Sequence, residues 1–152
     1  MNTGSMMLYA PAFERLMTGA LKLPLVSLSA VLLDGRYEQD VHQHERYSHI
    51  APNELSGGDY KPVGVTGVRV EPVSGGAAFY TDPISWGDPV DLPPARFLAL
   101  VQGWPGKLRA DDALFGFVDL SPVGGAVEAQ RGAFSVSPAT NGWFALTAPS
   151  NP

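Results

Sequence analysis

Apolar runs in this chain are interrupted again and again by glycine or proline, and that punctuation constrains the fold more tightly than any motif does. Seventeen glycines and fourteen prolines are spread between the runs and are not gathered in one tail, so they mark the ends of short strands. Leu25, Val26, Leu28, Ala30, Val31, Leu32 and Leu33 form one run, bounded by Pro24 and the Asp34-Gly35 turn, and predict a buried strand. Val63, Val65, Val68, Val70 and Val73 follow among Gly64, Gly67 and Pro72, with residues 77–81 as the return arm of a hairpin after Gly75-Gly76. Further strands are predicted at 84–86, 96–102, 114–120, 133–137 and 143–147. Leu92-Pro93-Pro94, Trp104-Pro105-Gly106 and Val123-Gly124-Gly125 stand among the separators.

Roughly seven or eight short strands at this spacing predict an all-β protein, a single-domain antiparallel sandwich or a jelly-roll-like barrel. The absence of βαβ alternation argues against a nucleotide-binding α/β domain. One helix is expected, over residues 10–21. Pro11 suits its first turn, Phe13, Leu16 and Met17 fall at i, i+3, i+4 spacing, and Gly19 ends it. At about three turns it is too short to be stable in water alone, so its apolar stripe must pack on its own sheet or on a neighbouring subunit. The expected organisation is an N-terminal arm and short helix (1–23), a β-sandwich domain (24–148) and a tail (149–152).

A chain of 152 residues can bury a real core without metal or disulfide support. With only 16% charged residues, well below the usual quarter, much of the surface must be Gly, Pro, Ser, Thr or apolar, which suits assembly with copies or partners. A net charge of −5 supplies no cationic field for phosphates, so no nucleic-acid partner is expected. Without cysteine there is no disulfide frame, thiolate nucleophile or Cys-based zinc site. The first residues lack the basic and apolar regions of a secretory signal, and no run approaches the ~18 to 20 apolar residues of a membrane span. Folding in a cytoplasm and no membrane partner are therefore expected.

Residues 35–62 carry all three histidines and much of the charge, and read as a long surface excursion with a short strand or helical turn near His49. Loops of this length are usually functional or assembly-related. On a strand, His42 and His44 would share a face, with Asp40 two residues earlier. No third ligand is specified and the deaminase-type motif lacks its Cys pair, so the histidines are read as surface or interface residues and no metal or cofactor is expected. Leu55-Ser56-Gly57-Gly58 lacks the context of a nucleophile elbow. Asp82, Asp88, Asp91, Asp111, Asp112 and Asp119 are read as turn residues, not as paired acids. Gly57-Gly58, Gly75-Gly76 and Gly124-Gly125 have no Lys-Ser/Thr after them and read as hairpin tips and bulges, not phosphate loops. The chain is read as non-enzymatic.

Trp86, Trp143, Tyr80, Phe97, Phe115, Phe117, Phe134 and Phe144 sit in predicted strands, where core packing explains them. Trp104, in a turn, is the aromatic expected to meet a partner.

The order of the pieces carries a further signal. After the helix come SLSAVLL at 27–33, the His-containing segment and IAPNELSGGDY at 50–60. FYTDPISW at 79–86, ARFLALV at 95–101, LFGFVDL at 114–120 and GAFSV at 132–136 complete the series. In this order, over residues 12–147, the chain resembles a family of small virion structural proteins encoded by tailed bacteriophages, although Trp104-Pro105-Gly106-Lys107 departs from the family's pattern. The resemblance implies a β-rich virion component, made in the host cytoplasm and carried in the phage particle. Its implied role is that of a capsid decoration (cement) protein, with a tail or head-completion ring protein as the alternative. It implies binding without turnover, with the major capsid protein or other virion proteins as partners and a homo-oligomer, such as a trimer, bridging capsomers. The contacts would come from residues 6–17, 36–60 and the Trp104 loop, with Leu8, Tyr9, Phe13, Leu16, Met17, His42, His44 and Trp104 as interaction residues. A carbohydrate-binding module, using exposed aromatics, is the alternative from another class.

Overall fold

The structure is a computed structural model that describes residues 6–23, 25–122 and 124–148. The first five residues of the expected arm, the expected tail 149–152, and Pro24 and Val123, which the sequence reading used as punctuation, lie outside the described residues.

The run SAVLL does form a strand, β2 (Leu28–Leu33), and every residue of it is buried. Two more strands share this character: β7 (Phe97–Gln102) and β8 (Leu114–Asp119), each buried over its first five residues. The three pair antiparallel, β2 on β7 from Leu28↔Gln102 to Leu33↔Phe97, and β7 on β8 from Phe97↔Asp119 to Val101↔Leu114. Short strands β1 (Met7–Leu8) and β3 (Val63–Gly64) close the edges, giving the order β1-β8-β7-β2-β3.

Successive side chains on a strand point to opposite faces, so a strand apolar at every position needs a cover on each side. The first face presents Leu28, Ala30, Leu32, Leu98, Leu100, Phe115 and Val118 to a second layer. That layer is built from the hairpin β4 (Arg69–Val73) and β5 (Gly76–Tyr80), joined by β10 (Phe144–Thr147), and from the ribbon β6 (Ile84–Ala95) with β9 (Val127–Val136). Phe79, Ile84, Trp86, Leu92, Phe134, Val136 and Trp143 fill the space between. A register shift between Leu100 and Val101 gives β8 an extra residue, so that Phe115 and Phe117 fall on opposite faces without a break in burial. Gly76 is required by close approach, since a β-carbon there would collide with the Leu146 carbonyl oxygen.

The second face presents Val31, Leu33, Phe97, Ala99, Val101, Leu114 and Phe117. No sheet covers it. Tyr9, Tyr37 and Ile50 do so, with Val41, Tyr47 and Leu108 packed around them. The segment read as a surface excursion is therefore a lid on the core, and it contains the short helix α2 (Tyr47–Ile50) followed by a 3-10 turn at Ala51–Asn53.

The protein is mostly β, with antiparallel sheets arranged as a sandwich. None closes into a barrel, so the jelly-roll-like barrel is corrected to an open arrangement. The expected break at Leu92-Pro93-Pro94 falls inside β6. Proline cannot donate to a ladder, and here Pro89, Pro93 and Pro94 sit in the register shifts between Gly87 and Val90 and between Leu92 and Ala95. Asp88 and Asp91, expected in turns, lie on the same strand, and Gly57-Gly58 lies in a loop between α2 and β3, not at a hairpin tip.

Phe115 is fully buried and stacks at 5.3 Å on Phe79. Phe115→Ala is expected to destabilise the fold by about 3–5 kcal/mol in urea unfolding, whereas Leu25→Ala, at an exposed position, should stay within about 0.5 kcal/mol of the parent.

Candidate functional site

Helix α1 (Ala10–Thr18) begins at Tyr9 in extended backbone and stops at Gly19, whose φ of 81° is the left-handed C-cap the sequence suggested. It docks with its small and polar residues. Ala12 is fully buried, and Arg15 reaches the sheet, donating from Nη2 to Gln102 Oε1 at 2.9 Å and to the Leu114 carbonyl at 2.8 Å. Burial pushes the Arg15 pKa down, against the pull of Glu45 and Glu14. With that side turned inward, Phe13 remains 41% exposed and Met17 76% exposed, while Leu16 is half-buried. The apolar stripe, expected to pack on its own sheet or on a neighbouring subunit, is split, and its larger members face outward.

At the start of the helix lies a shallow groove of about 390 Å³, lined by Met6, Leu8, Ala10, Phe13, Val41, His42 and Phe144. Three of the expected interaction residues, Leu8, Phe13 and His42, meet in it, with Met17 one turn further along α1. Tyr9 does not belong to this surface. It is fully buried beneath the groove, with its ring 5.3 Å from Phe117, and is corrected to a core residue.

His42 and His44 are not on a strand. Residues 41–43 form a turn in which Asp40 Oδ1 accepts the N–H groups of His42 and Gln43, so the expected shared face does not exist. His42 is exposed and His44 half-buried. His44 Nδ1 accepts the Asp40 N–H at 3.3 Å and lies 2.9 Å from Tyr37 Oη, which in turn is 2.7 Å from Tyr9 Oη. Because a backbone N–H can only donate, Nδ1 carries no proton. The Tyr37 hydroxyl therefore donates to it, and the Tyr9 hydroxyl donates to Tyr37. Burial raises both tyrosine pKa values. His49 Nδ1 accepts the N–H groups of Glu45 and Arg46, both at 3.1 Å, and caps α2.

A second knot had no sequence signal, because its members are separated along an irregular loop. Glu54 accepts hydrogen bonds from Tyr47 and Tyr60, one on each carboxylate oxygen, and Tyr60 Oη also accepts the Leu32 N–H at 3.2 Å. Burial, then the carboxylate, raise both tyrosine pKa values. The neighbouring residue Leu55 donates its N–H to the Leu32 carbonyl, so the knot ties the far end of the lid to β2.

Trp104 is 66% exposed. It borders a groove of about 470 Å³ with Pro105, Val26, Leu28 and the stretch from Gly64 to Val68. Since Gly64 belongs to β3 and Leu8 to β1, the two grooves lie at opposite edges of the five-stranded sheet.

Among the described residues no group of three His, Cys, Asp or Glu could hold a metal ion, and no helix is long and apolar enough to cross a membrane. A scan against protein-family models and searches of curated proteins and of solved structures each return no match.

Glu54→Ala would leave two part-buried tyrosine hydroxyls without their acceptor and is expected to lose about 1–3 kcal/mol in urea unfolding. Tyr47→Phe combined with Glu54→Ala should lose less than the sum of the two single changes, as read from the double-mutant cycle.

Proposed function

We propose that this chain is a structural protein of a tailed-bacteriophage virion, a decoration protein that attaches to the capsid shell and acts by binding alone. The observation that carries the reading is the outward placement of Phe13 and Met17 beside an apolar groove, on a helix that is already anchored through Arg15. Attachment through such a face needs no rearrangement of the core. Trp104 gives the opposite edge of the sheet an aromatic anchor of the kind that dominates interfaces. Two contact edges on one domain let each copy touch two neighbours, and modest contacts repeated over a symmetric shell add through multivalency. The low charge density supports the same reading, because few ions need to be stripped of water when either edge is covered. His44, His49 and Glu54 serve as acceptors that hold the lid in place. The resemblance in the order of its segments supplies the virion context.

Mass spectrometry of purified particles, with copy number set against the major capsid protein, tests the proposal. Hundreds of copies are expected. Six or twelve would make the chain a tail or head-completion ring component, and absence from particles would end the reading. Phe13→Ser with Met17→Ser should leave unfolding stability within about 0.5 kcal/mol per site and weaken rebinding to stripped particles by about tenfold or more.

A further inference from the structure

Aromatic and imidazole groups of the lid form a connected array with Tyr9 beneath it. Tyr9 Oη, Tyr37 Oη and His44 Nδ1 are linked at 2.7 and 2.9 Å, and the His44 ring stacks on His49 with centroids 5.6 Å apart and planes at 20°. We propose that this array is an acid-labile clasp, which holds residues 36–50 over the second face of the central sheet and releases them when the His44 imidazole takes up a proton.

The direction of the hydrogen bonds makes the clasp sensitive to a proton. An imidazolium carries hydrogen on both nitrogens, so protonated His44 can no longer accept the Asp40 N–H. It would force Tyr37 to accept. Of the Tyr37 and Tyr9 hydroxyls, which are bonded to each other in the buried core, one would then hold a proton with no acceptor.

The other charges nearby do not cancel this. Asp40 opposes it, favouring a charged His44, but burial first and His49 second hold the His44 pKa below its ordinary 6.5. Glu45 and Arg46 flank His49 and ion-pair with each other at 3.7 Å, and Arg15 of α1 feels the field of Glu45. The sheet faces Tyr37 with the uncharged rings of Phe97 and Phe117. A histidine whose folded pKa is depressed leaves the opened segment binding more protons than the closed one. The clasp's contribution is therefore complete above 6.5 and is lost as pH falls towards the depressed value.

Release would reach the surface. Val41 and His42 are on the held segment and line the apolar groove, and the Val41 carbonyl accepts the Ala10 N–H at 2.7 Å. Opening the lid would dismantle one wall of the groove. The clasp stands whatever the chain attaches to.

Hydrogen exchange of the full chain read by mass spectrometry, corrected for intrinsic rates, is compared between about pH 7.5 and about pH 5. Residues 36–50 are expected to lose about tenfold in protection while β2 and β7 keep theirs, with a midpoint that matches the His44 titration followed by NMR. His44→Gln with His49→Gln should abolish the difference. Unchanged protection, uniform loss along the chain, persistence in the double variant, or a His44 pKa at or above 6.5 would each overturn the proposal. If the double variant does not fold, the match of midpoints in the parent protein decides.

Discussion

The five-stranded sheet has no face it can show to water, and the rest of the molecule is arranged to meet that demand. An antiparallel sheet commonly packs one face and solvates the other, but β2, β7 and β8 are apolar at nearly every position. On one side the remedy is conventional, with a second layer of strands whose own ladders satisfy their backbone groups. On the other side the cover is a lid with little regular structure. Such a segment brings N–H and C=O groups down onto an apolar surface with no ladder to receive them, and buried backbone groups do not go unpaired. Something other than a sheet has to hold it.

Side chains do that holding, and they are drawn from the residue types most easily mistaken for chemistry. His44 and His49 each use Nδ1 to accept backbone N–H groups, Asp40 closes a turn, and Glu54 gathers two tyrosine hydroxyls. Arg96 is similarly occupied, bridging to Asp119 through Nε and Nη2 at 2.7 and 3.0 Å. That pair draws the Asp119 carboxyl below its ordinary range, chiefly through the Arg96 hydrogen bond. An acceptor engaged by structural donors has little left to offer a substrate. The same engagement makes the lid responsive, since a group chosen to accept hydrogen bonds is upset by gaining a proton.

Much of the framework was legible because it follows from local pattern. The unbroken run from Leu28 to Leu33, the Gly75-Gly76 hairpin and the Gly19 stop all depend on neighbours in sequence, and each is found where the pattern puts it. The misreadings share a cause of a different range. Pro93-Pro94 reads as a break until the register shifts of the β6–β9 ribbon supply a place for proline. Tyr9 reads as a surface aromatic until its partner, twenty-eight residues away, is known to be Tyr37. The segment 35–62 reads as solvent-facing because it is polar, yet Tyr37, Ile50 and Leu55 are enough to seat it on the core. Of the contact residues, Leu8, Phe13 and His42 converge on one groove and Trp104 stands at a second, which no spacing rule could have specified.

The orientation of α1 is the strongest physical reason to treat that first groove as a working surface. If the helix served only to cover the sheet, the hydrophobic effect would turn Phe13 and Met17 inward and leave Arg15 in water. The opposite is found. Arg15 is drawn in with its Nε buried and without a hydrogen-bond partner among the described residues, and the two larger apolar side chains are turned out. Such an inversion lowers the stability of the isolated chain on both counts, through a desolvated cation and through apolar area left wet. Within the chain, the two hydrogen bonds that Arg15 Nη2 donates, to Gln102 and to the Leu114 carbonyl, offset part of the first cost and none of the second. A partner that covers Phe13 and Met17 recovers the apolar term without disturbing the Arg15 anchor.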